Sequence, residues 1–179
     1  MLVLTFLFFY NFSLSAQRFE PIDKLSKVEF SIRNFGITVE GKFSGLQGVI
    51  EWHPGQLTKS LVDLSVDATS IETGIDLRDK HLKKNEFFKV SIYPFIKFQS
   101  IEITPTIIKN TWRIRGRLSI KGKTQEYSFP FKISQEGNNL DMSGEFSINR
   151  KDFDVGGNSL SMSDSVKIKF KVRFVPVSL

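Results

Sequence analysis

The chain has 179 residues and carries 25 lysines and arginines against 19 aspartates and glutamates, a formal net charge of +6 with a pI near 9.5. It has no cysteine, which excludes disulfides, thiolate metal sites and cysteine catalysis. Its two histidines, His53 and His81, are far apart in sequence and have no thiolate to join them, so a metal centre is not expected.

Residues 1–16 are uncharged and run Leu2-Val3-Leu4-Thr5-Phe6-Leu7-Phe8-Phe9-Tyr10 before softening into Asn11-Phe12-Ser13-Leu14-Ser15-Ala16. The apolar run is shorter than the roughly 20 residues that span a bilayer. It predicts a signal peptide over 1–16, cleaved after Ala16, and so export to the periplasm or medium. No cysteine follows it, so no lipid attachment is expected. Residues 17–179 suffice for one domain with a sizeable core, and no linker divides them.

From there apolar and polar residues alternate with a period of two, the pattern of strands with one buried face. Val28, Phe30 and Ile32 begin it, a Gly-rich turn is expected at Gly45, and Gly48, Ile50 and Trp52 resume it. Val62, Leu64 and Val66 form the strand that leads into the stretch Ser70 to Ser100, which holds the clearest helix signal. There Gly74 interrupts the strand pattern, Asp76 is placed to cap a helix, and Asp79 stands three residues on, where a capping box has Glu. Asp76 with Lys80 and Asp79 with Lys83 add acid-before-base pairs worth about 0.2–0.5 kcal/mol each, and Leu77 and His81 share a face. The helix, two to three turns long, ends before Tyr93-Pro94, because the residue before proline is held extended. Pro94 opens a strand with Ile96 and Phe98 whose alternation slips to Ile101 and Ile103, the mark of a bulge. Four clear runs follow, Trp112 to Ile120, Tyr127 to Ile133, Leu140 to Ile148 and Val166 to Phe174, separated by turn signals at Gly122, at Gly137-Asn138-Asn139 and across Gly156-Gly157-Asn158. Eight or so antiparallel strands with one apolar face must stack as two sheets or close on themselves, and closure removes the exposed edges.

The central stretch is similar to the signature of the YceI-like family, in Ser70-Ile71-Glu72-Thr73-Gly74, Arg78-Asp79-Lys80-His81-Leu82, Phe87-Phe88, and Tyr93-Pro94 leading to Phe98-Gln99-Ser100. Three further motifs agree in order: Phe35-Gly36-Ile37 with Gly41-Lys42-Phe43, Gly116 to Gly122, and Ile148 to Phe153. The resemblance implies an all-β, eight-stranded antiparallel lipocalin-like barrel with one short helix packed against it. It also implies an elongated apolar channel for a polyisoprenoid, an isoprenoid quinone or a similar long-chain lipid. No cofactor is implied beyond that ligand. On this basis the expected lining comprises Phe30, Leu77, Arg78, Asp79, His81, Leu82, Phe87, Phe88, Phe98, Ile114, Leu118, Phe129 and Phe146. Many members carry a histidine near the end of the first strand and another before the glycine matching Gly122. This chain has Arg33-Asn34 and Lys121 there.

Three functions compete. A barrel of eight strands is wide enough to be filled by side chains or to hold one slim ligand. Fourteen phenylalanines remain after residue 16, enough to fill it, which is the case for a structural domain with a solid core. Arg78, Asp79 and His81 invite a catalytic reading in which Asp79 positions His81 as a base. No Gly-x-Ser-x-Gly nucleophile motif accompanies them, and the trio equally suits a helix start with His81 plugging one barrel end. A non-enzymatic lipid binder or carrier is the reading adopted. Arg113, Arg115 and Arg117, with Lys167, Lys169, Lys171 and Arg173, alternate with apolar positions and should face outward. They form a solvated surface or give transient attraction to an anionic membrane. Nucleic acid is not an expected partner, since the phenylalanines alternate inward, and pairing of barrels as a homodimer is left open.

Overall fold

The computed structural model describes residues 17–177, so the segment read as a signal peptide lies outside the described residues. Nine strands form one closed sheet: β1 (Gln17–Pro21), β2 (Lys27–Asn34), β3 (Ile37–Trp52), β4 (Leu61–Glu72), β5 (Phe95–Pro105), β6 (Thr111–Ile120), β7 (Lys123–Glu136), β8 (Asn139–Asn149) and β9 (Met162–Pro176). From β2 onward each strand pairs antiparallel with its neighbours in sequence, and β9 returns to pair with β1 and β2. The barrel nevertheless has eight positions, because β1 and β2 share one slot between β3 and β9. Pro21, which has no N–H to donate, ends the first half of that slot, and a 3-10 turn at Asp23–Leu25 separates the halves. Opposite the break, β3 bulges, and the Asp23 carboxylate accepts the Leu46 N–H at 2.8 Å, replacing the lost strand partner. Ser26 mends the other side, donating to Ile22 O at 2.7 Å and accepting the Arg173 N–H at 3.1 Å.

The expected turn at Gly45 is instead this bulge, inside one 16-residue strand. Gly45 has φ +70°, and a Cβ there would come within 2.9 Å of Asp67 Cβ, so the position needs glycine for close approach to β4 and not for reversal. Reversal comes earlier, at Phe35-Gly36, where both residues have positive φ in a two-residue hairpin. The β5 bulge falls where the alternation slips, between Ser100 and Glu102, leaving Ile101 outside and Ile103 buried.

One α-helix, α1 (Asp76–Leu82), crosses the barrel end between β4 and β5. Ile75, not Asp76, holds the N-cap position and makes no side-chain cap. Neither of the two expected acid–base pairs forms an ion pair among the described residues. What anchors the helix is Thr73: its N–H and hydroxyl both donate to Asp79 Oδ1, the N–H at 2.9 Å, while Arg78 donates to the Thr73 hydroxyl at 2.7 Å and to its carbonyl at 2.6 Å.

The inward side chains differ along the barrel axis. At the end away from α1 they are fully packed: Phe19, Ile50, Ile114, Phe131, Leu140 and Phe174 have at most 1% exposure. Trp52 meets Trp112 edge-on at 5.1 Å, and both meet Phe131, so aromatic rings seal this end. Toward α1, inward positions such as Phe30, Phe43, Leu64, Phe98 and Ile168 are only half-buried, because they border an internal space.

Candidate functional site: an apolar cavity under a lid

That space is a cavity of about 200 Å³ in the α1 half of the barrel. It exceeds the roughly 150 Å³ at which an engineered apolar cavity stays dry and takes a small apolar guest. Val62, Met142 and Val172 border it toward the sealed end, Phe30 and Phe43 wall one side, and Phe98, Phe129, Phe146 and Phe170 wall the other. Phe129 and Phe146 stack at 4.0 Å, and Phe98 and Phe170 lean on Phe129 at 5.5 and 6.0 Å.

Three inward glycines explain why so many rings leave a lumen. Cζ of Phe30 lies 2.4 Å from where a Cβ on Gly41 would stand, and Cζ of Phe98 is equally close at Gly116. At Gly144 the ring of Phe170 comes within 2.7 Å of that point. Each ring occupies the space of a missing neighbouring side chain, flat along the wall, and the barrel centre stays open.

The mouth is covered by a lid, residues 76–94, that contributes Leu82, Phe87 and Phe88, and by the segment after β8, which contributes Phe153, Val155 and Met162. The two are buttoned together. Gly156 N–H donates to Glu86 O at 2.8 Å, and Lys121 Nζ donates to Glu86 O at 3.3 Å and Asp154 O at 2.6 Å. Burial pushes the Lys121 ammonium below its ordinary value. Tyr93 lies against Gly122, where a Cβ would sit 2.6 Å from its ring, and so ties the lid to the β6–β7 turn.

Among the described residues Arg150 is the one charged group turned into this shell, only 2% exposed. Glu29, Ser65 and Lys97 also border the cavity, but each alternates with inward apolar neighbours and faces outward. All five Arg150 donors are taken: Nε by Ser163 O, Nη1 by Val155 O and Gly157 O, and Nη2 by Met162 O and Asp164 Oδ1, between 2.7 and 3.3 Å. The guanidinium therefore shapes the segment that roofs the cavity and offers nothing to a guest. Nearby, Asn34, paired with Met162 at the mouth, has a buried Oδ1 with no hydrogen-bond partner among the described residues. Among the described residues no cluster of His, Asp or Glu is arranged to hold a metal.

Of the residues expected to line a channel, the structure brings Phe30, Leu82, Phe87, Phe88, Phe98, Leu118, Phe129 and Phe146 together around the cavity. The other five are elsewhere. Ile114 is fully buried in the packed half. Leu77 is 79% exposed on the outer face of α1, because the short helix sits with that face to solvent. His81 shares that exposure and meets only the edge of Phe87, at 5.1 Å, so it neither plugs the barrel nor reaches the cavity. Arg78 and Asp79 are engaged with Thr73. Missing from the expectation were Phe43, Ile168 and Phe170, whose strand parity marks them as inward, and Phe153, Val155 and Met162, which lie outside clean alternation and carry no such signal.

The cationic rows do face outward, but much of their charge is met by cross-strand carboxylates. Arg115 contacts Glu102 and Glu126, Lys167 contacts Glu145, and Arg173 grips Asp141 and Glu136 at 2.6 Å each. The hydrogen-bonded Arg173 guanidinium holds the Asp141 carboxyl below the usual carboxylate value.

Known proteins share this architecture. The chain is 24% identical over 165 residues to the UPF0312 protein of Pectobacterium atrosepticum, covering 88% of this chain and 85% of that one. Among solved structures, Burkholderia cenocepacia BcnA superposes with a TM-score of 0.81 at 24% identity, over 86% of this chain and 98% of that one. A polyisoprenoid binding domain from Saccharophagus degradans, implicated in plant cell wall breakdown, superposes with a TM-score of 0.73 at 13% identity, over 91% of this chain and all of that domain. The model of the YceI-like domain matches residues 21–174, from the end of β1 to the last turn of the wall in β9, so barrel, lid and roof segment together make this chain a member of the YceI-like family.

Proposed function

We propose that the protein binds a long-chain apolar lipid, a polyisoprenoid or an isoprenoid quinone, in the barrel cavity and carries it without changing it chemically. The observation that supports this most directly is a cavity lined by aromatic and aliphatic side chains whose one inward charge, Arg150, is saturated by the protein itself. Such a space rewards apolar surface, at about 0.8 kcal/mol per buried methylene, and offers a reacting group no acid, base or nucleophile. The ligand named for the Saccharophagus domain of the same fold points the same way. The trio Arg78, Asp79 and His81 stands outside the cavity, which favours a binder over an enzyme. The uncharged apolar run in residues 1–16 supports export of the carrier to the periplasm or medium, and N-terminal sequencing of cell-derived protein tests it by the expected mature N-terminus near Gln17.

Native mass spectrometry of protein purified from its own cells, followed by solvent extraction, tests the reading. The expected result is a co-purifying apolar lipid, lost in Leu118→Trp, which fills the cavity, while the melting midpoint of the variant survives. Wild-type protein with no extractable lipid would overturn binding, and a bound lipid converted to product on incubation would establish an enzyme.

A further inference from the structure

The barrel is sealed at one end and lidded at the other, so an apolar chain has one way in. Topology brings four connections to that mouth: the β2–β3 hairpin, the α1 lid, the β6–β7 turn and the β8–β9 segment. All but the β6–β7 turn present large apolar side chains that stay exposed among the described residues. Phe35 is 80% exposed at the hairpin tip with Ile37 beside it, Leu77 and Ile92 are exposed on the lid, and Leu160 is wholly exposed on the β8–β9 segment. The hairpin meets the β8–β9 segment through Phe35 N–H donating to Ser161 O at 2.9 Å, and that segment meets the lid through Gly156 N–H donating to Glu86 O at 2.8 Å, so these side chains border one mouth. Exposed apolar side chains gathered at one end, rimmed by charge, mark an interaction surface.

Charge identifies the partner. Lys80, Lys83, Lys84 and Lys89 of the lid have no ion-pair partner among the described residues and outnumber the unpaired lid carboxylates Asp76 and Glu86, while Asp79 is engaged with Thr73. On the side wall the balance is different, since Arg115, Arg117, Lys167 and Arg173 are met by carboxylates and Arg113, Lys169 and Lys171 alone of the two rows are unpaired among the described residues. Exposed apolar tips interleaved with free ammonium groups are what inserts at a lipid–water interface carrying negative charge. The sealed end also exposes Ile107 and Ile108, but Trp52, Trp112 and Phe131 block any chain from passing there. We propose that the mouth rim, formed by Phe35, Ile37, Leu77, Ile92 and Leu160 with the lid lysines, is a docking face for an anionic lipid bilayer, so that the barrel sits mouth-down on the membrane and exchanges its ligand directly with it. The assignment rests on the lipid-binding reading.

Vesicle co-sedimentation of the full chain tests it, using equal parts phosphatidylglycerol and phosphatidylethanolamine, with pure phosphatidylcholine alongside. Wild type should bind the anionic vesicles more tightly, and the difference should shrink at high salt. Phe35→Asn/Leu77→Gln/Leu160→Ser should weaken binding about tenfold with its melting midpoint retained, and Lys80→Gln/Lys84→Gln should weaken it by about the same factor at low salt only. If the first variant fails to fold, the second decides. Equal binding to both vesicles, wild-type binding by a folded rim variant, or a dimer that the rim variant dissolves without any vesicle binding would each overturn the proposal, the last in favour of a second copy of the chain. Solvent extraction of the same preparations separates the two readings. Lipid-loaded protein that ignores vesicles refutes docking alone, and lipid-free protein that docks refutes the cavity reading alone.

Discussion

Gly144 decides how much room the barrel keeps. A methyl group there would stand 2.7 Å from Phe170 Cζ, and the easiest escape for the ring is into the lumen. Gly144→Ala should therefore lower the yield of extractable lipid sharply while destabilising the fold by about 1 kcal/mol, near the bottom of the range for overpacking, because the ring moves into open space. Lipid extraction beside urea denaturation checks both halves, and a variant with full lipid content would show that the ring does not guard the lumen. Lys121 acts on the roof in the same single-residue fashion, since its ammonium holds the carbonyls of Glu86 and Asp154 together. Lys121→Met keeps the aliphatic stem and removes the donors, so faster ligand release and faster amide hydrogen exchange in residues 83–94 are expected, with little change in the barrel strands. Equal exchange rates in the two proteins would assign the closure to Tyr93 and Gly156 instead.

At the scale of the element, β8 and β9 are joined by the fork between Asp141 and Arg173. The Asp141 carboxyl is held below its usual value, so the native state binds fewer protons than the unfolded chain between those two values. Its stabilisation is complete above the ordinary carboxylate value and is lost as pH falls through the native one. Asp141→Asn should thus lower the urea midpoint at neutral pH and converge with wild type in strong acid, and a pH-independent gap would refute the linkage. The strands themselves were legible because period-two alternation survives wherever one face is buried, down to the slip that became the β5 bulge. Gly45 misled because glycine marks both turns and bulges, and only the approach of Asp67 distinguishes them. Ile114 misled for a different reason: parity says which way a side chain points but not how far along the barrel axis it lies, and that height separates the packed half from the hollow one. Nor does spacing reveal that Arg78 and Asp79 would turn back onto Thr73 instead of facing the cavity.

Across the whole molecule the two halves should answer differently to the same substitution. Phe131, 1% exposed between Trp52 and Trp112, leaves an unfilled hole when cut to alanine, at about 3–5 kcal/mol whether or not a ligand is present. Phe129, at the cavity wall, should cost less in lipid-loaded protein, where a flexible chain shifts into the gap. Melting curves of both variants before and after delipidation measure the contrast, and equal losses would mean that the barrel behaves as one solid core. The Trp52–Trp112–Phe131 seal also gives the molecule a geometry of measurement. On the lipid-binding reading proposed above, a blind channel would admit a chain end-on and stop it at a fixed depth, so the seal would work as the zero mark of a ruler. Chains shorter than the channel would then leave wall uncovered, and longer ones would carry their surplus out past the lid. Under that reading, moving the one aromatic layer would retune selectivity by length with no change at the mouth.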